Sequence, residues 1–251
     1  MKSPLWIVPL ILMTACATPP ALPVPQAEPP VTQAEIEDEI VATFSIVAYD
    51  PETEELGIAV QSRVIGAGAI VPWAKAGVGA VATQAAANTS YGPRGLELLE
   101  RGLTAQETID VLTRTDPRKG SRQLGIVDAK GNPATFTGEN CSDWAGGVAR
   151  ANFCAQGNIL TGPDVVDDMA KAFETTEGDL GDKLIAALEA AQAAGGDRRG
   201  RQSAGLLIVK EGAGYGGNDR YRDVRVDEHD TPIQELKRIY GMIKNRGRRR
   251  R

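Results

Sequence analysis

Thr43 to Asp50, TFSIVAYD, is the stretch from which the rest of this chain is read. Thr43, Ser45 and Val47 alternate with Phe44, Ile46 and Ala48, which is the two-residue period of a β-strand. Upstream lies a proline-rich leader, and downstream a glycine-rich sequence of globular composition. A first strand that opens on a hydroxyl residue has two readings. Thr and Ser contribute β propensity wherever they occur, and a hydroxyl at the head of a domain is also where a nucleophile can stand.

Working outward, Asp50-Pro51-Glu52-Thr53 is a turn, and ELGIAVQSR returns from it as the second arm of a hairpin. Apolar runs at 68–71 and 77–83 predict two more strands. A helical pair comes next. Pro93 opens one helix through Leu96 and Leu99, and the capping box Thr104-Ala105-Gln106-Glu107 opens another that turns Ile109 and Leu112 inward. Strands are predicted at 122–128, 133–137 and 152–156. Beyond them are a helix with Val166, Met169 and Phe173 on one face and, after the break at Gly178, one with Leu180, Leu184 and Leu188. Strands at 203–209 and 221–226 precede a last helix, capped at Thr231-Pro232 and striped by Ile233, Leu236, Ile239 and Ile243. Strands and helices therefore arrive in blocks, which fits neither a βαβ repeat nor an all-β sandwich. The expected fold is α+β, a four-layer αββα sandwich of two mainly antiparallel sheets. Burial of both faces of its central strands explains the apolar run GLLIV at 205–209.

Composition narrows the chemistry. With 42% hydrophobic and 24% charged residues the 251-residue chain is ordinary globular protein. The net charge is −5, and −9 once the terminal arginines 248–251 are set aside, so the body is acidic and nucleic acid is not an expected partner. One histidine, His229, and three cysteines leave no expected metal site. A His-based triad would have only His229, which lies in a polar DEHDTP turn. The pattern Gly77-Val78-Gly79-Ala80-Val81-Ala82 is not a dinucleotide fingerprint, because its glycines sit within a strand and a loop stands where a helix is required; no cofactor is expected.

The leader reads as delivery. Lys2 followed by the apolar run 5–15 matches a secretory signal, too short to span a bilayer. Ala15-Cys16-Ala17 fits a small-x-small cleavage site, and Met13-Thr14-Ala15-Cys16 a lipoprotein box in which Cys16 carries lipid. The lipoprotein reading leaves Cys141 and Cys154 as an even pair in an oxidising compartment. Residues 17–42 contain six prolines and read as an extended tether. The expected organisation is signal 1–16, tether 17–42, domain 43–245 and basic tail 246–251, exported to the cell envelope with peripheral membrane attachment through Cys16.

Three polar clusters stand out within the domain. Cys141 and Cys154 are separated by twelve residues and are expected to form a disulfide rather than remain two buried thiols. Asp197-Arg198-Arg199-Gly200-Arg201-Gln202-Ser203, between a helix and a strand, is either a clamp for a carboxylate or phosphate or a solvated loop with Asp197 paired locally. Gln156-Gly157-Asn158 after a strand is either an oxyanion-holding set or a plain turn.

Taken together, TFSIVAYDPETEELGIAVQSR, VPWAKAGVGAVATQA, NTSYGPRGLELL, CAQGNIL and GGDRRGRQSAGLL resemble a bacterial and archaeal family of unassigned function, usually placed in the N-terminal nucleophile hydrolase superfamily. The resemblance runs from Thr43 to about Tyr240 and implies the αββα sandwich. It also implies a mechanism in which the first residue's hydroxyl attacks an amide while its own α-amine serves as base, without histidine. The match places Thr43 where the nucleophile and base would stand; with it, the expected site takes Asn158 and nearby N–H groups for the oxyanion and the Asp197 to Ser203 loop, with Asp197 and Ser203, for orienting substrate and amine. Arg198, Arg201, Gln202 and Asn88 would contact a small-molecule or peptide amide substrate, with homo-oligomerisation left open. Thr43 is preceded here by Ala42, so this mechanism needs the Ala42–Thr43 bond cut. The alternative is a non-catalytic envelope binding protein on the same fold.

Overall fold

The structure, a computed structural model, describes residues 40–41 and 43–248. The described chain runs through β1 (Ile40–Val41), β2 (Thr43–Asp50), β3 (Glu55–Ser62), α1 (Ala67–Ile70), β4 (Pro72–Lys75) and β5 (Gly79–Ala86). It continues with α2 (Tyr91–Glu100), α3 (Ala105–Arg114), β6 (Arg122–Asp128), β7 (Pro133–Thr137), β8 (Gly146–Arg150) and β9 (Phe153–Gly157). Helices α4 (Asp164–Thr175) and α5 (Leu180–Ala193) lead to β10 (Ser203–Val209), β11 (Arg222–Val226) and α6 (Pro232–Arg248). The fold is mixed α+β, with two antiparallel sheets and six helices among the described residues.

The six-stranded sheet has the order β11-β10-β3-β2-β9-β8. In the five-stranded sheet the order is β1-β5-β6-β7, with β4 also paired to β5. The period of β2 explains how they pack. Phe44, Ile46 and Ala48 point to one face and join Leu160, Met169, Leu184, Leu188 and Leu236 in a core with α4, α5 and α6. Val47, with Ile58 and Val60 of β3, points the other way, onto Ala80, Ala82 and Val127 of the second sheet. That sheet's far face, with Val81, Leu124 and Ile126, is covered by Leu99, Ile109 and Leu112 of α2 and α3. The layers therefore run helices, sheet, sheet, helices, and all of β10 is buried, as a strand covered on both faces must be.

Local signals explain most element ends. Thr104 and Glu107 complete the capping box of α3, and an unanticipated second box, Asp179 with Asp182, opens α5. The apolar run 68–71 is not a strand: Ala67–Ile70 is a single helical turn, α1. Its Gly68 lies on Gly205 of β10, where an added Cβ would stand 3.1 Å from the Gly205 Cα. β4 and β8 were not anticipated, because Pro72 and the glycines of GGVAR weaken the strand signal.

Three expectations about segments need correction or placement. Pairing begins upstream of Thr43, since Ile40 pairs with Ala86 and Val41 with Ala85, so the expected tether gives up its last residues to β1. Helix α6 runs through Arg248 and takes in part of the expected basic tail. The signal segment with Cys16, and the remainder of the tether, lie outside the described residues. Among the described residues no helix is long and apolar enough to cross a membrane.

The expected Cys141–Cys154 disulfide is absent, and both cysteines are free thiols. The Cys154 thiol donates to the Ile126 carbonyl, inside the core between the sheets, whereas Cys141 donates to the carbonyl of Arg122. Those carbonyls are four residues apart on β6, on the order of 13 Å along a strand, which no disulfide spans. Burial pushes the Cys154 thiol up to about 12 and raises Cys141 less. In the folded protein a thiol reagent is therefore expected to modify Cys141 and spare Cys154 until denaturant is added. Finding neither thiol after unfolding without reductant would restore the bridge.

Candidate active site

Thr43 begins β2 with its side chain turned between the sheets, fully buried. Across the hairpin it stands opposite Ser62, and its hydroxyl donates to Ser62 Oγ at 3.1 Å. Ser62 in turn stands opposite Ser203 of β10, so three strands carry a row of hydroxyls at one end of the sheet. Ser62 was not anticipated, although the register of the hairpin implies it. With Asp50 opposite Glu55 at the turn, counting back along both arms brings Ser62 to Thr43.

On the other side of Thr43, the Asn158 N–H donates to the Thr43 carbonyl at 3.0 Å. Beyond it lies a set of buried amides drawn from both sheets. Ser45 Oγ donates to Gln84 Oε1 at 2.6 Å and accepts from Gln156 Nε2 at 2.8 Å. Gln84 Nε2 donates to Gln123 Oε1 at 2.8 Å and reaches the Thr43 carbonyl at 3.3 Å. Gln123 Nε2 donates to the Gly157 carbonyl at 2.8 Å and lies 3.2 Å from the Gly146 carbonyl. Gly125 makes room for this layer: a Cβ there would stand 2.3 Å from Gln156 Oε1.

These contacts determine which way the amides face. Gln123 must turn its Nε2 to two carbonyls, so its Oε1 faces Gln84 and Asn158, and Asn158 must present Nδ2 to it, at 2.9 Å. Asn158 Oδ1 then points away, buried and with no hydrogen-bond partner among the described residues. Asn158 directly follows β9, and its N–H bond to the Thr43 carbonyl fixes it at the start of β2. The side chain expected as an oxyanion donor thus has its N–H2 group committed to Gln123, and Oδ1 is the atom left over.

The remaining candidates divide. Ser203 is buried in register with Thr43's hairpin partner, but its hydroxyl donates to the Val64 carbonyl at 2.5 Å and accepts from Ala67 N at 3.1 Å. It closes the loop between β3 and α1. The Asp197 carboxylate is fully buried and taken by Arg199 of its own loop, through Arg199 N at 2.8 Å and Nη2 at 3.0 Å. Gln202 accepts from Arg63 Nη1 at 2.6 Å, and its N–H donates to the Ser62 carbonyl at 3.0 Å. Arg198 and Arg201 are exposed, the first joined to Ile159 through its backbone. Asn88 accepts from Ser90 N and Oγ, at 3.2 and 2.7 Å, and so shapes the entry to α2. His229 accepts from Thr231 N at 2.9 Å, at the start of α6.

A buried charge cluster lies on the opposite side, at the end of β5. Asp116 Oδ2 accepts from Arg122 Nε at 2.9 Å and from the Tyr91 hydroxyl at 2.5 Å, while Arg122 Nη1 donates to the Ala86 carbonyl. Burial alone would raise the Asp116 carboxyl, but hydrogen bonds from Arg122, Tyr91 and the Arg118 N–H outweigh it and hold Asp116 well below the usual carboxylate range.

Fold and site together define a mixed α+β domain whose first long strand opens on a buried threonine, held between two sheets by neutral amides and hydroxyls. The chain belongs to the Family of unknown function (DUF1028), whose sequence profile matches residues 43–236. It is similar to the crystal structure of protein SPO2555 from Silicibacter pomeroyi, also described as DUF1028, at 32% identity and a TM-score of 0.74. The alignment covers 80% of this chain and 88% of that one. Comparison with curated proteins finds no match.

Proposed function

We propose that the protein is an exported amide or peptide-bond hydrolase of the N-terminal nucleophile type, with Thr43 freed by cleavage after Ala42. The observation that carries this reading is the convergence of buried polar groups from both sheets on Thr43, at the residue where the family match begins. The helix–sheet–sheet–helix layering agrees with the αββα sandwich of that superfamily.

In the freed chain the Thr43 α-amine takes the proton from its own Oγ1, and Oγ1 attacks the carbonyl carbon of an amide. The tetrahedral intermediate collapses as the C–N bond breaks, and the amine's proton goes to the leaving nitrogen. Water then hydrolyses the Thr43 ester, releasing the acid. Asn158, whose N–H holds the Thr43 carbonyl and whose Oδ1 is an acceptor without a partner among the described residues, orients the amine. An amine buried among neutral amides loses proton affinity, so its base form is present near neutral pH. The reaction needs no histidine.

Before cleavage the amine is an amide. Lipid attachment at Cys16 then anchors a precursor, and cleavage at Thr43 releases the domain. The second reading, a binding protein with a permanently capped Thr43, is favoured by one observation: the residues just upstream are themselves paired into a sheet as β1.

Intact-mass measurement and N-terminal sequencing of protein from its native envelope separate the two. The hydrolase reading expects a chain that begins at Thr43. Functional protein that retains Ala42 joined to Thr43 would leave the binding protein.

A further inference from the structure

The end of β5 is a strand edge that only the two residues of β1 cover among the described residues. β4 pairs with Gly79 to Ala82, and the Val71 carbonyl accepts from Thr83 N, so that cover stops at Thr83. Past that point, among the described residues, only β1 lies along the edge, through Ile40 opposite Ala86 and Val41 opposite Ala85. An unpaired row of backbone groups is a template for an added strand. Here it is a built one. Ala85 adopts a left-handed φ of 64°, unusual for a residue with a Cβ and of a kind that gathers at ligand clamps. The Ala86 carbonyl is held by buried Arg122, itself fixed by Asp116.

Position and charge indicate what the edge takes. One residue, Ala42, separates β1 from β2, so a strand lying where β1 lies delivers the carbonyl of its next residue to Thr43. Upstream of β1 the chain reads Glu35-Ile36-Glu37-Asp38-Glu39, four acidic residues in five. Helix α2, which begins five residues after Ala86, has ten residues, no acidic residue in its first turn and no side-chain cap. Exposed Arg94 lies in that helix, and exposed Lys119 lies three residues before Arg122. A helix N-terminus and exposed cations favour anions.

We propose that the β5 edge at Ala85–Ala86 is a peptide-binding site, and that its ligand is an extended peptide, acidic on its N-terminal side, whose carbonyl end is presented to Thr43. The chain's own β1 occupies the site before cleavage. This rests on the reading of Thr43 as a nucleophile only for the chemistry after binding; the binding itself can be measured without turnover.

The test uses the full chain and a chain that begins at Thr43. The latter contains the whole family match and, of the described strands, lacks only β1. Both carry Thr43→Ala, which removes turnover, and the probe is a fluorescein-labelled peptide of residues 34–42, AEIEDEIVA. Anisotropy is expected to show binding to the shorter chain and little to the full chain, whose edge is filled. Replacing the four acids by Gln or Asn should weaken binding by roughly tenfold. N-methylation of the Ile40 and Val41 peptide nitrogens should abolish it, because it removes the donors an added strand uses. Arg94→Glu with Lys119→Glu, both on the surface, should weaken the acidic peptide and leave the neutral one unchanged. Equal binding by both chains, indifference to N-methylation, or no binding to the shorter chain would each overturn the proposal. In the last case, acylation of wild-type Thr43 would show that the hydrolase reading survives without this site.

Discussion

A chain made to begin at Thr43 is expected to be acylated at that residue by a β-lactone, and the full chain that retains Ala42 is not. The lactone serves because it reports a nucleophilic hydroxyl without knowledge of the substrate. Ring opening joins the lactone carbonyl to Oγ1 as an ester and adds the whole mass of the reagent to one peptide. Thr43→Ala in the shorter chain removes the hydroxyl, and labelling should fall by on the order of 10⁴-fold or more, the scale at which loss of a nucleophile is felt. Thr43→Ser should keep it. Thr43→Ala also removes a buried hydrogen bond to Ser62, worth about 1 kcal/mol, so the variant should remain folded and the loss should be one of reactivity. Because the neutral amine is the base, labelling should rise with pH and level off at or below about pH 8, the range of an unperturbed α-amine, since burial lowers that value. Labelling of the full chain at Thr43, or a pH dependence abolished by His229→Ala, would remove the amine from the mechanism.

Asp116→Ala is expected to destabilise the protein by about 3–5 kcal/mol, because it leaves the guanidinium of Arg122 buried and unpaired. Both side chains are almost wholly withdrawn from solvent, with 9% and 10% of their surface exposed, so solvent screening does little to soften the loss. For a domain of this size the melting temperature should fall by roughly 10 °C or more. The same pair makes stability depend on pH. The folded-state pKa of Asp116 is depressed, so its contribution is fully present above the unfolded value of about 3.9 and is lost as the pH falls toward the folded value. Thermal melts of the wild type should therefore drop steeply below about pH 4, and those of Asp116→Ala less steeply. Equal melting temperatures for the two proteins near neutral pH would show that the pair contributes nothing. The variant bears on the site as well, because Arg122 holds the Ala86 carbonyl at the edge where β1 pairs.

How much of the fold was legible beforehand depends on the range of the signals. The bounds of β2, β6 and β10 agree with the expectation, since each is a run of strand-forming residues with turn chemistry beside it. The faces of α4 and α5 were legible for the same reason: Val166, Met169 and Phe173 are buried together, as are Leu180, Leu184 and Leu188. The run 68–71 was misread because four small apolar residues carry no period long enough to separate a strand from a turn of helix. Packing against Gly205 decides it. The cysteines failed differently. Their spacing in sequence says nothing about which way each strand or turn faces, and Cys154 faces the core between the sheets while Cys141 lies at the far end of β6.

By itself the sequence determined the hairpin, the block order of strands and helices, and Thr43 at the head of β2. Each of these depends on residues close together in the chain, where periodicity, caps and turn residues act. It also contained the Thr43–Ser62 pair, because a closed hairpin has one register. Only the tertiary structure decided what surrounds that pair. Gln84 reaches the Thr43 carbonyl across 41 positions, and Gln156 reaches Ser45 across 111. Those contacts exist because two sheets face each other, and which buried amide meets which is set by their stacking and relative register. No local propensity encodes that stacking, which is why Asn158 read as an oxyanion donor in the sequence, while in the fold its N–H2 group is spent on Gln123 and its Oδ1 has no partner among the described residues.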